Sequence, residues 1–563
     1  MPAFTIKEQL VDFPIAQMAF ISIIRIAEPI AFTSMFPYIY FMIKHFGITD
    51  NDADIARFSG YLASAFSFCQ FLSSVPWGKA SDKFGRKPVL LVGLSGTAIS
   101  MVIFGFSTNF YSALMARMLM GLLNGNVSVI RTVIGEIAVE PRHQPLAFSS
   151  LTLLWSAGSI MGNWLGGVLT DTKNLPEVLN EDYSSKKRSG FITHLFKRIS
   201  GSTETNTSDE LALFEKYPFV LSNVVVACIL CCSIIAGWLF FEETHEIKKY
   251  KRDIGLEVGD YLRHKLGFQA PIRPWQKYHR MSDNRVIDDL FYEDSSVDDH
   301  NDDEISKKPK INEDIELQLY ATMDPDSEMA TNTAAGASEE DKQEAFTPPV
   351  VNSMISNFIL SFHNLVYGEF LPVFLAAKVQ VAALKFPLHI KGGFGFTSDA
   401  IGILLSLTGV VGIGVVLFIF PIINTYFSTI NGYRVGLSVF PIIYVILPLL
   451  IFTLPEYSLM FKSKTFTGIV LYAMTGLNTF AGSTAFSQII ILIHRASPRQ
   501  HRALINGSTM SITALARCVA PLIWGWLMSK FDTMGYSGLS WWTLAVISLG
   551  GLLHSFVLEE YEE

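Results

Sequence analysis

Apolar residues along this chain come in blocks rather than in alternation with polar ones. Twelve blocks fall at about 15–43, 56–77, 88–107, 111–135, 146–169, 217–241, 353–377, 400–423, 432–453, 465–493, 503–529 and 540–558. Each is close to or beyond the ~20 mainly apolar residues that a helix needs to cross a bilayer. Backbone in hydrocarbon must satisfy its own hydrogen bonds, so each block is read as a transmembrane helix. The blocks divide six and six around a polar segment, 242–351. The pattern therefore predicts an all-α membrane protein with twelve transmembrane helices. Residues 1–241 and 352–563 form two pseudo-symmetric six-helix bundles. The segment between starts basic (KKYKR, then IRPWQKYHR) and turns acidic over 283–345, with FYEDSSVDDHNDDE at its core. It holds too little apolar surface to order itself and is expected to be a disordered cytosolic linker.

Composition agrees with the pattern. The 563 residues are only 17% charged, against about 25% in soluble domains, and mean hydropathy is +0.34. The net charge of −8 comes from the linker and gives no reason to expect nucleic acid. The start, MPAFTIKEQLVDF, has no basic n-region or cleavage site, and the first apolar run is too long for an h-region, so the first span is read as retained. All five cysteines (Cys69, Cys228, Cys231, Cys232, Cys518) fall in predicted spans and are expected to serve packing, not metal or redox chemistry. No metal site is expected in the acidic linker. No phosphate-cradling GK[ST] loop and no hydrolytic triad is visible, so the chain is not read as an enzyme, needs no cofactor and must draw energy from an ion gradient.

Charge placement orients the spans. Lys79, Lys83, Arg86 and Lys87, the KKYKR run, and Arg495, Arg499 and Arg502 share one side, which the positive-inside rule makes cytosolic together with both termini. Loop 171–216 then lies opposite, and its Asn206-Thr207-Ser208 is a candidate glycosylation site.

Inside the spans, the candidate ionisable residues are Arg25, Glu28, Arg117, His363, Glu369 and Arg517. One charge at the bilayer centre costs about 2.5–3.5 kcal/mol on insertion scales. Arg25 and Glu28, three apart on one helix face, can lower each other's cost, but pairing rarely beats well-packed apolar residues. Their presence therefore points to a role. The expectation is that Glu28 or Glu369 carries a proton, His363 relays it, and Arg25 switches partners between states. The alternative is a static Arg25–Glu28 pair bracing the kink at Pro29. Arg117 is expected to meet an anionic substrate group or a carboxylate. Tyr38, Tyr40, Trp155, Trp164 and Tyr367 could line an amphipathic cavity, although aromatics at such spacing more often serve packing.

In GKASDKFGRKP, residues 78–88, Gly78 is read as permitting a close helix approach and Asp82 as capping the next turn and pairing with a cation. Gly85 is read as allowing a tight reversal, and Arg86 and Lys87 as headgroup anchors. The stretch resembles the signature G-x-x-x-D-x-x-G-R-[RK] of the major facilitator superfamily. RMLMGLLNG (117–125) and the pair Glu136 and Arg142 resemble that family's span-four pattern and following loop. GSIMGNWLGG, with Gly158, Gly162, Asn163, Gly166 and Gly167, is similar to its span-five antiporter motif, with Asn163 in the proline's place. Its glycines are read as allowing close helix packing. The stretches FPYIYFMI, KYPFVLSN, FFEETH and INGSTMSITALARCVAP resemble the zinc-induced facilitator-like branch of the twelve-span drug:proton antiporter type. The resemblance implies a monomeric secondary transporter in the lipid bilayer that works by rocking of the bundles about a midplane site. Implied partners are a small-molecule or ion substrate and protons. The implied activity is proton-coupled export or vacuolar sequestration of a small organic compound or cation, at the vacuolar or plasma membrane. An uncoupled facilitator and a non-transporting sensor on the same fold are the alternatives.

Overall fold

The computed structural model describes residues 12–138, 140, 143–170, 217–245, 247–265, 267, 271, 273, 275–276, 346–419, 426–457, 464–498 and 502–560. Among them every regular element is helical, with only isolated β-bridges beside the helices. The first half comprises α1 (Ile15–Thr33), α2 (Ile39–His45), α3 (Ile55–Phe84), α4 (Arg86–Gly105), α5 (Phe110–Leu123), α6 (Asn126–Ile137), α7 (Gln144–Leu169) and α8 (Val220–Phe240). A short α9 (Ile254–Lys265) follows. The second half comprises α10 (Pro348–Ala376), α11 (Ser398–Gly414), α12 (Thr429–Leu449), α13 (Thr465–Ala496), α14 (Arg502–Thr533) and α15 (Gly538–His554).

All twelve apolar blocks coincide with one of these helices or with a broken pair. The first block splits into α1 and α2 across Ser34–Tyr38, where Pro37 offers no N–H to a continuing helix. The fourth splits into α5 and α6 at Asn124 and Gly125. The eighth continues past α11 into a π-helical turn, Val415–Ile419. Apolar side chains such as Ile99, Ile235, Ile442 and Val546 are exposed, as a lipid-facing surface requires. Cys228, Cys231 and Cys232 are exposed as well, so these three do not serve packing as expected; only Cys69 is buried.

The apolar interior is divided unequally. One end of the molecule carries the lysines and arginines of the 78–88 stretch and Arg495; it is called the basic end here. Near that end the first bundle has its own core, with Ile21, Ile24, Leu90, Val133 and Leu230. Towards the opposite end, Met35, Tyr38, Ile39, Ile55 and Phe110 merge into the core of the second bundle, with Phe370, Phe374 and Trp524. Ser529 donates to Asp54 across the bundles at that end (2.7 Å). The two bundles are thus sealed together away from the basic end. At the basic end, the first turns of α10 and α14 flank an open apolar cavity of about 700 Å³ lined by Val351, Met354, Ile355, Ser508 and Ile512.

The expected linker is folded at its start. Residues 248–265 form a 3-10 turn and α9, whose Leu256 and two glycines pack on α8: a Cβ on Gly259 would lie 1.9 Å from the Leu239 carbonyl oxygen. Arg273, 1% exposed, closes the strap with ion pairs to Asp260 and Glu242. Burial works to lower its basicity, but the Asp260 and Glu242 carboxylates more than offset this, so its pKa is raised. Composition could not reveal this order, because the strap is held by ion pairs and close glycine contacts and buries little apolar side chain. Arg273→Ala should release α9 and speed its cleavage in limited proteolysis by about an order of magnitude. Unchanged protection would show that the packing of α9 on α8 holds the strap alone.

Candidate functional site

Arg25 and Glu28 face inward from the last turns of α1, 8% and 6% exposed, and form an ion pair. The Arg25 guanidinium also lies over the Trp155 ring of α7, 5.4 Å from its centroid, and its Nε has no hydrogen-bond partner. Arg117 of α5 is buried against Phe66 (4.7 Å) and Phe32 (6.0 Å), and donates weakly to Met120 Sδ at 3.4 Å. Its Nε and Nη2 are unpartnered. Glu369 of α10 is 6% exposed with one carboxylate oxygen unpartnered, and Arg117 and Arg517 are the cations whose charge it feels. Arg517 sits at the middle of α14 and feels Glu28, Arg25 and Glu369 in turn. Five of the six predicted intramembrane charges therefore form one electrostatic neighbourhood spanning both bundles.

His363 does not join it. The ring is fully buried between α10 and α12, with Nδ1 3.0 Å from the Tyr444 hydroxyl and the Phe440 ring 4.6 Å away, and no ionisable acid lies among its contacts. The expected relay is replaced by an aromatic packing role.

Arg131 of α6 is the member that the sequence reading passed over. Its helix buries Ile130, Val133 and Ile134, while Arg131 is exposed; yet its electrostatic partners are Arg25, Glu28 and Arg517. Its signal in the sequence was one cation in the otherwise uncharged NVSVIRTVIG of the fourth block.

The glycines of the span-five motif lie at close approaches between helices. A Cβ on Gly158 would meet Pro29 Cγ at 2.4 Å, on Gly162 Thr33 Oγ1 at 2.2 Å, and on Gly166 the Ser34 carbonyl oxygen at 1.8 Å. These three, four residues apart, hold α7 flat against the helix that carries Arg25 and Glu28. Gly167 faces the other way, with Gly402 Cα of α11 2.8 Å from its Cβ position. Asn163 is 9% exposed with an unpartnered Oδ1, and α7 runs through it unbroken.

The 78–88 motif departs from expectation in three ways. Arg86 and Lys87 are buried (8% and 4% exposed) and paired instead of reaching headgroups. Arg86 binds Asp82 (2.5 Å) and Glu136 (3.0 Å), and Lys87 binds Asp253 (2.6 Å). The N-terminus of α4 is capped by Glu243, which accepts from the backbone N–H groups of Arg86 (2.8 Å) and Lys87 (3.1 Å), and not by Asp82. Gly78 has open space where a Cβ would go, so no close approach requires it. Gly85 is required: its φ is +103° and a Cβ would meet Glu243 Oε2 at 2.5 Å. Glu136 also accepts from Thr244 (2.5 Å). The predicted partner of Glu136, Arg142, and the glycosylation site Asn206 lie outside the described residues, as does the acidic part of the linker.

Comparison with known proteins agrees with this architecture. Residues 21–177 match the family model described as Major Facilitator Superfamily. A relative from Aspergillus fumigatus, "Major facilitator superfamily multidrug transporter mfsB", is 33% identical over 98% of this chain and 84% of its own length. "Protein ZINC INDUCED FACILITATOR 1" of Arabidopsis thaliana is 22% identical over 97% of this chain and 91% of its own. Among solved structures, a bacterial homologue of the human lysosomal transporter Spinster, in an inward-facing and occupied conformation, superposes with a TM-score of 0.57. It shares 13% identity over 97% of this chain and 96% of that one, a likeness of fold alone.

Proposed function

From this chain's membership of the major facilitator superfamily, which makes it a secondary membrane transporter and not an enzyme, we propose that it exports a small organic compound from the cytosol in exchange for protons. The membrane is the vacuolar or the plasma membrane, and a single chain is the working unit. The basic end is cytosolic, in line with the positive-inside rule. The seal between the bundles at the opposite end then makes the described conformation open towards the cytosol.

The observation that carries this reading is the placement of Glu28. It is buried in the first bundle, paired with Arg25, and within electrostatic reach of Arg517 in the second. Rocking of one bundle against the other changes how close that second arginine lies. A carboxylate's proton affinity falls as a cation approaches and rises as it leaves. Alternating access thereby alternates protonation, which is what coupling requires. Glu369, placed between Arg117 and Arg517, is the second carboxylate able to respond in this way. The efflux reading draws support from the name of the Aspergillus relative, a multidrug transporter.

The test uses full-length protein in reconstituted vesicles. Glu28→Gln should abolish substrate movement driven by a pH gradient while leaving the unfolding midpoint close to the parent's. Gradient-driven flux at the parent's rate would remove Glu28 from the mechanism. A parent whose flux ignores the gradient would favour an uncoupled facilitator.

A further inference from the structure

The short helix α9 carries an apolar face that the fold leaves uncovered. Ile254 and Tyr261 are each 68% exposed, and Val258 and Leu262 are exposed beside them. At about 3.6 residues per turn these four lie in one stripe about 100° wide. The neighbouring stripe, Gly255, Leu256 and Gly259, is buried against α8. A Cβ on Gly255 would lie 2.4 Å from the Trp238 carbonyl oxygen and 2.9 Å from its indole Nε1. Trp238 and Ile235 of α8 are themselves exposed, on the surface that meets lipid. The uncovered stripe of α9 therefore continues a lipid-facing surface at the end of a span. Arg263 fixes the depth: its guanidinium lies over the rings of Phe20 near the start of α1 and Phe240 at the end of α8, 5.4 and 5.0 Å from their centroids.

Charge accompanies the stripe. Residues 248–265 hold six lysines and arginines against three acidic residues. Asp253 and Asp260 are turned to Lys87 and Arg273, and Glu257 is paired with Arg252. We propose that α9 lies in the cytosolic headgroup layer, with Ile254, Val258, Tyr261 and Leu262 dipped into the acyl boundary and Lys248, Lys249 and Lys251 holding anionic lipid headgroups. Amphipathic helices bind a membrane surface through buried apolar area together with attraction to anionic lipid. Lys265, at the end of the stripe, reaches the headgroups on its long stem. The strap is joined to α4 through Asp253 and Lys87 (2.6 Å) and to the segment just past α8 through Arg273 and Glu242. Lipid held by α9 thereby steadies the basic end of the first bundle.

The inference takes the basic end as cytosolic, and neither cargo nor proton coupling bears on it. The full chain is reconstituted, dilute or crowded, into vesicles of phosphatidylcholine with or without about a third phosphatidylserine. One cysteine is introduced as Val258→Cys, in the middle of the stripe, or as His264→Cys, about 120° round the helix. Modification by a charged, water-soluble maleimide is then read on each peptide by mass spectrometry. Both side chains are exposed in the protein alone, so a cover is what would separate them. Val258→Cys should react about tenfold more slowly, because the reagent stays out of the acyl boundary and a thiol there ionises poorly. Equal rates overturn the placement, and protection confined to crowded vesicles assigns the face to a second copy of the chain instead. The unsubstituted chain gives an independent reading. Chymotryptic cleavage within α9 should slow at least about fivefold with phosphatidylserine, the scale of one lysine's attraction to an anionic surface. High salt should remove the effect, as should Lys248→Gln, Lys249→Gln and Lys251→Gln together. Cleavage indifferent to phosphatidylserine overturns the assignment to anionic lipid.

Discussion

Gly166→Ala is expected to lower the unfolding stability of the full chain in detergent by about 3 kcal/mol or more, at the upper end of what overpacking costs. The new methyl carbon would sit 1.8 Å from the Ser34 carbonyl oxygen and 2.7 Å from its carbon. Both are backbone atoms, so no rotamer change relieves the overlap; α7 and the turn between α1 and α2 must separate. They cannot separate locally, because Gly162 and Gly158 hold the same two helices in contact over the preceding two turns, 2.6 Å from the Ile30 oxygen and 2.7 Å from the Ile26 oxygen at their Cβ positions. In lipid the helices gain little from apolar burial, so close packing of this kind supplies much of their association. Separation would also shift Arg25 and Glu28 relative to Trp155, so transport should fall with stability. Gly135→Ala is the control: it is also helical, nothing lies within 4 Å of its Cβ position, and alanine there should stabilise by about 0.5–1 kcal/mol. Equal midpoints for the two variants would show that α7 and α1 are not held by this face.

The parts of this architecture that the sequence announced are those with a one-dimensional signature. Twelve apolar blocks became twelve helical spans because the bilayer imposes a length and an apolar composition that are visible residue by residue. The charges Arg25, Glu28, Arg117, Glu369 and Arg517 were visible for the same reason, since each interrupts such a block. Arg131 carried the same signal but was masked by the polar residues at the start of its helix, Asn126 and Ser128. What could not be read were partners distant along the chain. Glu243 caps a helix 157 residues earlier, and Asp253 pairs with Lys87 across 166, with no local pattern to announce either. His363 shows the converse error. An ionisable residue in a span looks like chemistry until its neighbours, Phe440 and Tyr444, are known.

The second large effect is expected at Glu243, a position outside the 78–88 motif. Glu243→Gln should cost about 3 kcal/mol, from two charge-assisted hydrogen bonds at about 1.5–3 kcal/mol each, part of which the amide oxygen retains, and from the loss of a negative charge at a helix N-terminus. Oε1 accepts from Arg86 N and His245 N (3.0 Å), and Oε2 accepts from Lys87 N. Whichever way an amide is turned, its NH2 faces one of these donors. Asp82→Asn should cost far less although Asp82 lies within the motif, because its side chain is 70% exposed and an ion pair so hydrated contributes about 0–1 kcal/mol. The contrast follows from where each carboxylate stands. Glu243 joins the start of α4 to the strap leading into α9, and Glu136 on α6 binds both Arg86 and Thr244 of that strap. The basic end of the first bundle is therefore tied into one block, able to turn as a unit when the bundles rock. Thermal unfolding of the two variants, paired with proteolysis of α9, checks this. Glu243→Gln should lower the midpoint and expose α9 together, whereas a loss confined to Asp82→Asn would place the joint in the loop between α3 and α4 instead.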